Sequence, residues 1–398
     1  MFNPMHKKGL PIQKQFKNWK TLNTRPYDKE SIHPYSRTAG ILMNGIECEA
    51  AFFMHNFARH TKDMELRGAL AMVRRAEQEQ QKMINWMIPG NESSLEVTIG
   101  YEQVAVDLTA FLAQKEKDPY VKEALDFALL EDFDHLYRYA NLMRLTMGKE
   151  ASDVTKEYTE ITVGRPTSKE HRFPEDDVRN FTDKRSADPM SNLHIMTIVA
   201  AEQQTMNYYM NIGNRFEDML ARGLYLEIAQ IEEQHVTHYE SLIDPRMSWF
   251  EQWVCHELTE CWLYHSLMKN DHEQRSQKVW EQALDMELEH LKIASENMKK
   301  HDKKDPEELS GGGFTHMFEF KSNIDYVRNI LETQADFGAM GPDFVPGSKI
   351  PENYRYFQHQ KIVNEGGAPS DEVIDRVIKK DGHDFRQELK PAMAGSVR

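Results

Sequence analysis

The sequence predicts an all-α protein, and three observations carry that prediction. Long stretches place apolar residues at helical spacing, strand signals are nearly absent, and a set of acids and histidines recurs at a fixed offset. With 398 residues, the chain is long enough for two ordinary domains with a substantial core.

Taken in order, residues 1–35 form an irregular arm punctuated by Pro4, Pro11, Pro26 and Pro34. The period then becomes helical from about Ser36. It covers 45–62, 64–87, 94–115 and 119–147, with breaks at Pro89-Gly90 and Asp118-Pro119. Residues 148–191 are polar, contain Pro166, Pro174 and Pro189, and hold no sustained period, as expected of a long connection. Four further helices are predicted over 192–215, 217–243, 247–270 and 273–301, with Pro245 between the second and third. After Leu309, Gly311-Gly312-Gly313 opens a Gly- and Pro-rich region with one short helix over 323–335. The expected domains are the arm, a four-helix unit over 36–147, the connection, a second unit in tandem over 192–301, and an extension over 302–398 wrapping the bundle.

Composition narrows the function classes. The net charge of −15 argues against nucleic acid or an anionic membrane surface as partner, since both call for a basic patch. No segment approaches the ~18 consecutive apolar residues of a membrane helix, and the N-terminus lacks the apolar stretch of a signal peptide. Three cysteines, Cys48, Cys255 and Cys261, show no C-x-x-C spacing; a sparse, odd count suits a reducing cytoplasm, the expected location.

The internal repeat carries the chemistry. A shift of 155 residues brings Asp63-Met64 onto Asp218-Met219, Arg67-Gly68 onto Arg222-Gly223, and His135-Leu136 onto His290-Leu291. The acids follow without a gap: Glu47 onto Glu202, Glu77 onto Glu232, Glu102 onto Glu257, and Asp132 onto Glu287, with Gln80 opposite His235. Within each half the first and second acids, and the third and fourth, stand 30 residues apart. The unit is therefore a helical hairpin with one acid on its first helix and acid-x-x-His on its second, in four copies. Two copies are altered, one by Gln80 in place of His and one by Asp132 in place of Glu. Roughly three acid-x-x-His matches are expected by chance in such a composition, so one motif means little; a whole set recurring in one register is a strong signal.

Positions i and i+3 lie on one helical face, so Glu232 with His235, and Glu287 with His290, can reach a common ion. At ~1.5 Å per residue, a 30-residue spacing places the acid of one helix level with the pair on its antiparallel neighbour. Two facing hairpins then offer four carboxylates and two imidazoles, a set suited to two divalent ions. The predicted ligands are Glu202, Glu232, His235, Glu257, Glu287 and His290, together with Glu47, Glu77, Glu102, Asp132 and His135.

This pattern resembles the ferritin-like di-iron or di-manganese carboxylate superfamily, whose bundles carry Glu, Glu-x-x-His, Glu, Glu-x-x-His in chain order. Glu202, Glu232/His235, Glu257 and Glu287/His290 match it completely, and the resemblance spans roughly residues 40–301. Rubrerythrin-like proteins are the nearest comparison, without their cysteine-ligated rubredoxin module. One departure concerns topology. Ferritin-like bundles cross over between their second and third helices, yet only 25 residues separate Glu77 from Glu102 and Glu232 from Glu257. Two pairings stay open: each half closes on itself, or the halves pair across the duplication. In the second case Glu102, Asp132 and His135 face Glu257, Glu287 and His290, while Glu47, Glu77 and Gln80 face Glu202, Glu232 and His235.

The resemblance implies an oxidoreductase with a dinuclear iron centre, manganese being the alternative, that reacts with O2 or hydrogen peroxide. It would draw electrons from an external donor and oxidise a small molecule, and homodimers fit the class. A metal-storage or buffering protein, or a ferritin-like scaffold without catalysis, are the alternatives. His238 and Glu260, each three residues beyond a predicted ligand, are candidates for further ligands or for partners of the ligating side chains. Tyr208, Tyr209 and Tyr239 are expected mainly as core.

Overall fold

A computed structural model describes residues 2–382; Met1 of the arm and residues 383–398 of the extension lie outside the described residues. The chain is predominantly helical, as the class prediction requires. Eight long helices dominate: α1 (Pro34–Arg59), α2 (Met64–Asn85), α3 (Ser94–Lys115), α4 (Pro119–Met147), α5 (Pro189–Ile212), α6 (Met219–Glu240), α7 (Trp249–Asn270) and α8 (Gln274–His301).

The 155-residue repeat reaches the helix ends, which explains why these segments start where they do. Pro34 and Pro189 occupy the first turns of α1 and α5, where a missing N–H costs nothing. Asp63 and Asp218 cap α2 and α6 through side-chain oxygens. Ser93 with Glu96, and Ser248 with Glu251, close reciprocal capping boxes on α3 and α7. Each cap is the 155-residue image of the other, so one set of stop and start signals folds both halves.

Consecutive helices pair as four antiparallel hairpins. The first helices of the hairpins lie in the centre: α1 packs on α3, α5 and α7, and α5 packs on α3 and α7. Burial follows from this. Every residue from Thr98 to Ala113 of α3, and from Met190 to Glu202 of α5, is buried. The second helices flank them, α4 meeting α6 on one side and α2 meeting α8 on the other. Two four-helix groups result, α3–α6 and α1/α2/α7/α8, sharing the central face.

This is neither of the pairings open in the sequence. Hairpin two faces hairpin three, and hairpin one faces hairpin four. The physical reason is loop length. The links over residues 86–93 and 241–248 are too short to run back along a helix of some 30 Å. Residues 148–188 are long enough, and they carry the chain from the end of α4 to the start of α5. The long connection is thus the crossover missing within each half, and hairpins one and four close on each other because nothing else remains for their acids.

The connection is polar in sequence but buried in place. Asp134 of α4, itself buried, accepts from the backbone N–H of Gly164 (2.9 Å), from Thr167 N–H (2.8 Å) and Oγ1 (2.7 Å), and from Arg138 Nε (2.8 Å). Arg165 N–H donates to the Leu130 carbonyl at 3.1 Å. A Cβ at Gly164 would lie 2.6 Å from that carbonyl oxygen and 2.8 Å from Asp134 N, with backbone on both sides and no room to yield. Gly164→Ala is therefore expected to lift the connection and lower stability by about 1–3 kcal/mol, measured by urea unfolding.

The extension holds more structure than its composition indicates. Beyond α9 (Ile324–Gln334) come an antiparallel hairpin, β1 (Phe337–Met340) and β2 (Asp343–Pro346), and two helices, α10 (Arg355–Val363) and α11 (Pro369–Asp381). The single helix expected over 323–335 is thus joined by elements that Gly- and Pro-rich punctuation concealed. Gly341 turns the hairpin at φ 60°. α11 packs on α4 and α6, and α9 on α4. Arg355 clamps the extension to the connection through Asp176 (2.7 and 2.9 Å), which also accepts from Tyr354 Oη (2.5 Å) and Gly341 N–H (2.9 Å). Among the described residues, no helix is long and apolar enough to cross a membrane.

Candidate metal centre

All eleven predicted ligands are buried, none more than 1% exposed. They converge as two clusters, each drawing on a first-half and a second-half hairpin. The α3–α6 cluster joins Glu102, Asp132 and His135 to Glu202, Glu232 and His235. The α1/α2/α7/α8 cluster joins Glu47, Glu77 and Gln80 to Glu257, Glu287 and His290. The second-half set that matches the ferritin-like motif in order is therefore divided between them, and the complete set of four acids and two imidazoles belongs to α3–α6.

In the α3–α6 cluster both imidazoles point Nδ1 inward. His135 Nδ1 lies 3.1 Å from Glu232; His235 Nδ1 lies 3.2 Å from Asp132, 3.3 Å from Glu232 and 3.7 Å from Glu202. The outer nitrogens are fixed by carboxylates outside the predicted ligand set. His135 Nε2–H donates to Glu170 of the connection (2.9 Å), and His235 Nε2–H to Glu131 of α4 (2.9 Å). Arg165 (2.7 Å) and Arg172 (2.5 Å) hold the other oxygen of Glu131. A ring nitrogen tied to a carboxylate leaves its opposite nitrogen free and more basic, the arrangement that metal-binding histidines require. Tyr209 Oη donates to Glu102, so this tyrosine has a polar role beside its packing role.

Electrostatics show a cluster short of positive charge. Burial drives Glu102 and Glu202 well above the usual carboxylate range, and neighbouring acids add to the rise. Burial also opposes ionisation of Glu232, but the adjacent imidazoles of His135 and His235 hold it at about 2. Against burial, Glu170 lifts His135, and Asp132 lifts His235, well above the ordinary imidazole value. Both oxygens of Glu202, and one each of Glu102, Asp132 and Glu232, are buried without a hydrogen-bond partner. Such orphaned lone pairs are costly in a protein interior and are what a cation would satisfy.

These atoms form two overlapping sets able to hold a metal ion, Asp132/Glu202/Glu232/His235 and Glu102/His135/Glu232, with Glu232 common to both.

The α1/α2/α7/α8 cluster differs in a way that Gln80 explains. The amide donates to Glu47 (3.2 Å) and to Glu287, occupying lone pairs that a second ion would need. Tyr264 Oη also donates to Glu47, and Trp253 Nε1 to Glu257 (2.7 Å). One set able to hold an ion remains, Glu77/Glu257/Glu287/His290, with both oxygens of Glu77 unpartnered. Glu260 adds a fifth buried acid with both oxygens unpartnered, while Gln15 of the arm accepts from His290 Nε2–H at 2.6 Å. His238, by contrast, faces away from either cluster: its Nε2–H donates to the Ala124 carbonyl (3.2 Å), and its ring packs on Phe127 and Phe344. Restoring the imidazole by Gln80→His is expected to free Glu47 and Glu287 and raise metal content by about one ion per chain, measured by elemental analysis after anaerobic loading.

Glu131, Glu170 and Gln15 are the functional neighbours that the spacing misses. Met286 stands 155 residues beyond Glu131, so the repeat does not mark it. Gln15 and Glu170 do stand 155 residues apart and hold the outer nitrogens of His290 and His135, but they lie in segments without a helical period, where nothing singles the pair out.

Comparison with protein-family models, with curated proteins and with solved structures finds no match for this chain.

Proposed function

We propose that this chain is an oxidoreductase built from two ferritin-like bundles, nested rather than in tandem, with a dinuclear iron centre in α3–α6. The observation that carries this reading is the pair of overlapping ligand sets sharing Glu232, in which both oxygens of Glu202 and one each of Glu102, Asp132 and Glu232 lack partners. In this reading Asp132, Glu202, Glu232 and His235 would hold one ion, and Glu102, His135 and Glu232 the other. When bound, the pair of metals supplies the electrons that reduce O2 or hydrogen peroxide; manganese uses the same ligands and is the alternative.

The chain's own part is to orient, to exclude water and to hold protons. Glu131 and Glu170 keep the protons of His235 and His135 at Nε2 so that Nδ1 stays directed inward. Against burial, Arg172 foremost, then His235 and Arg165, keeps Glu131 well below its ordinary range, hence ionised. Tyr209 keeps a proton within reach of Glu102. Cys48, Cys255 and Cys261 are free and give no Cys-ligated electron carrier, so the reading takes its electron donor from outside the chain.

The test is metal content on untagged protein, followed by O2 and peroxide consumption with small-molecule substrates. The expected content is about three iron ions per chain, two in α3–α6 and one in α1/α2/α7/α8, with oxidant consumed. Uptake of many more ions would favour storage. A chain still empty after anaerobic loading would leave a helical scaffold and end the catalytic reading.

A further inference from the structure

We propose that the cavity outside Glu131, between the connection and the extension, binds a small organic carboxylate with an apolar body. The cavity has a volume of about 280 Å3, room for on the order of nine water-sized groups. Its floor is Arg165, Arg172 and Glu131, with Phe127 beneath; its roof is the extension, chiefly Phe337, Ala339, Ile350 and Phe357. Apolar walls around a few converging polar groups are the usual make-up of a small-molecule site.

The polar groups are cationic and incompletely used. Arg165 and Arg172 are 5% and 4% exposed, yet Nε and Nη2 of Arg165 and Nη2 of Arg172 have no hydrogen-bond partner. Both guanidinium groups lie over the Phe127 ring, at 3.9 and 5.2 Å from its centre, which fixes their planes. One Glu131 oxygen serves both arginines, and Asp177 takes Arg172 Nε at 2.6 Å. Lys169 adds a positive charge to the lining and Asp336 a negative one. The lining groups Arg165, Arg172 and Lys169 thus outweigh Glu131 and Asp336 by one positive charge. A buried guanidinium with free N–H groups is a costly thing to leave unmatched, and its planar fork suits a carboxylate.

Position gives the site its interest. Glu131, which meets the arginines with one oxygen, meets His235 with the other, so a ligand on Arg165 stands one side chain from the α3–α6 cluster. Binding needs no metal; that the bound carboxylate is also what the oxidoreductase acts on rests on the function proposed above.

The experiment is calorimetric titration of the full chain, chelator-treated and metal-loaded, with acetate, hexanoate, octanoate, phenylacetate and 3-phenylpropionate. Phenylacetamide serves as the neutral control and inorganic phosphate as the other anion. The expected result is one site per chain, tighter for the larger carboxylates than for acetate, with phenylacetamide at least about tenfold weaker. Arg165→Gln and Ala335→Trp should each weaken binding about tenfold or more; the tryptophan fills the cavity from the roof and leaves the arginines in place. Unfolding temperatures of both variants show that they are folded. No binding of any carboxylate to wild type would overturn the proposal, as would binding unaffected by both variants. Phosphate bound in place of the carboxylates would overturn the ligand class. Metal content, measured on the same samples, separates failure of this site from failure of the oxidoreductase reading.

Discussion

Replacing Glu232 and His235 together by alanine should cut metal content from about three ions per chain to about one and abolish oxidant consumption. Glu232 belongs to both ion sets of the α3–α6 cluster, and His235 supplies the imidazole of one, so the pair cannot be lost without emptying the cluster. The remaining ion is held by Glu77, Glu257, Glu287 and His290 on other helices, and it should persist. The mirror variant, Glu287→Ala/His290→Ala, should lose that single ion and retain oxidant consumption. Elemental analysis of both variants beside wild type decides the matter. Equal losses in the two, or none in the first, would show that the ions are not where the side chains converge.

The second large effect is on stability. Protein treated with a chelator should lose stability as pH rises through neutrality. The sign follows from which way each group is moved. Glu102, Glu202, Glu47, Glu77 and Glu257 are all raised well above the ordinary 4.5 by burial, so the folded chain keeps protons that the unfolded chain releases. Their contribution is intact below about pH 4.5 and declines as pH climbs towards their folded values. His135 and His235, raised above 6.5, act in the same direction, with loss beginning above that value. Glu232, at about 2, and Glu131 oppose this, but their contribution is already in place above 4.5 and is lost only towards acid. Between pH 5.5 and 8 the unfolding temperature of stripped protein should therefore fall by roughly 10 °C or more. Iron or manganese added at pH 8 should restore it, because the ion takes the place of the protons. An unfolding temperature that climbs across this window would contradict the assignment.

How much of this could be read from the sequence depends on whether a feature repeats. The acids and histidines recur at 155 residues, and the helix caps do so too, which is why eight helices and their inward faces are legible. Pairing is a different kind of fact, because it depends on what each linker can span. The ungapped register suggests two halves that each close, whereas residues 148–188 supply the length for hairpin two to meet hairpin three. Glu131 has no counterpart in the repeat, while Gln15 and Glu170 share the 155-residue register but sit in aperiodic segments, and their alignment with imidazole nitrogens exists only after the arm and connection have docked. α10, α11 and the small hairpin sit among glycines and prolines, and they gain order from Arg355, Tyr354 and Ser370 contacts to residues more than a hundred positions away rather than from local propensity.

The nesting of the hairpins also sets a timetable for the nascent chain. α3 to α6 are made consecutively, so their bundle can close while the ribosome is still translating α7. Glu47 and Glu77 have no such neighbour: their partners, Glu257 and Glu287, emerge some two hundred residues later. At common rates of synthesis that is a wait on the order of ten seconds or more, during which the apolar face of the first hairpin must be sheltered. The central packing of α1 on α3 and α5 offers that shelter, since both helices are translated well before α8. The first hairpin would then ride on a finished neighbour until the last one arrives to enclose its acids.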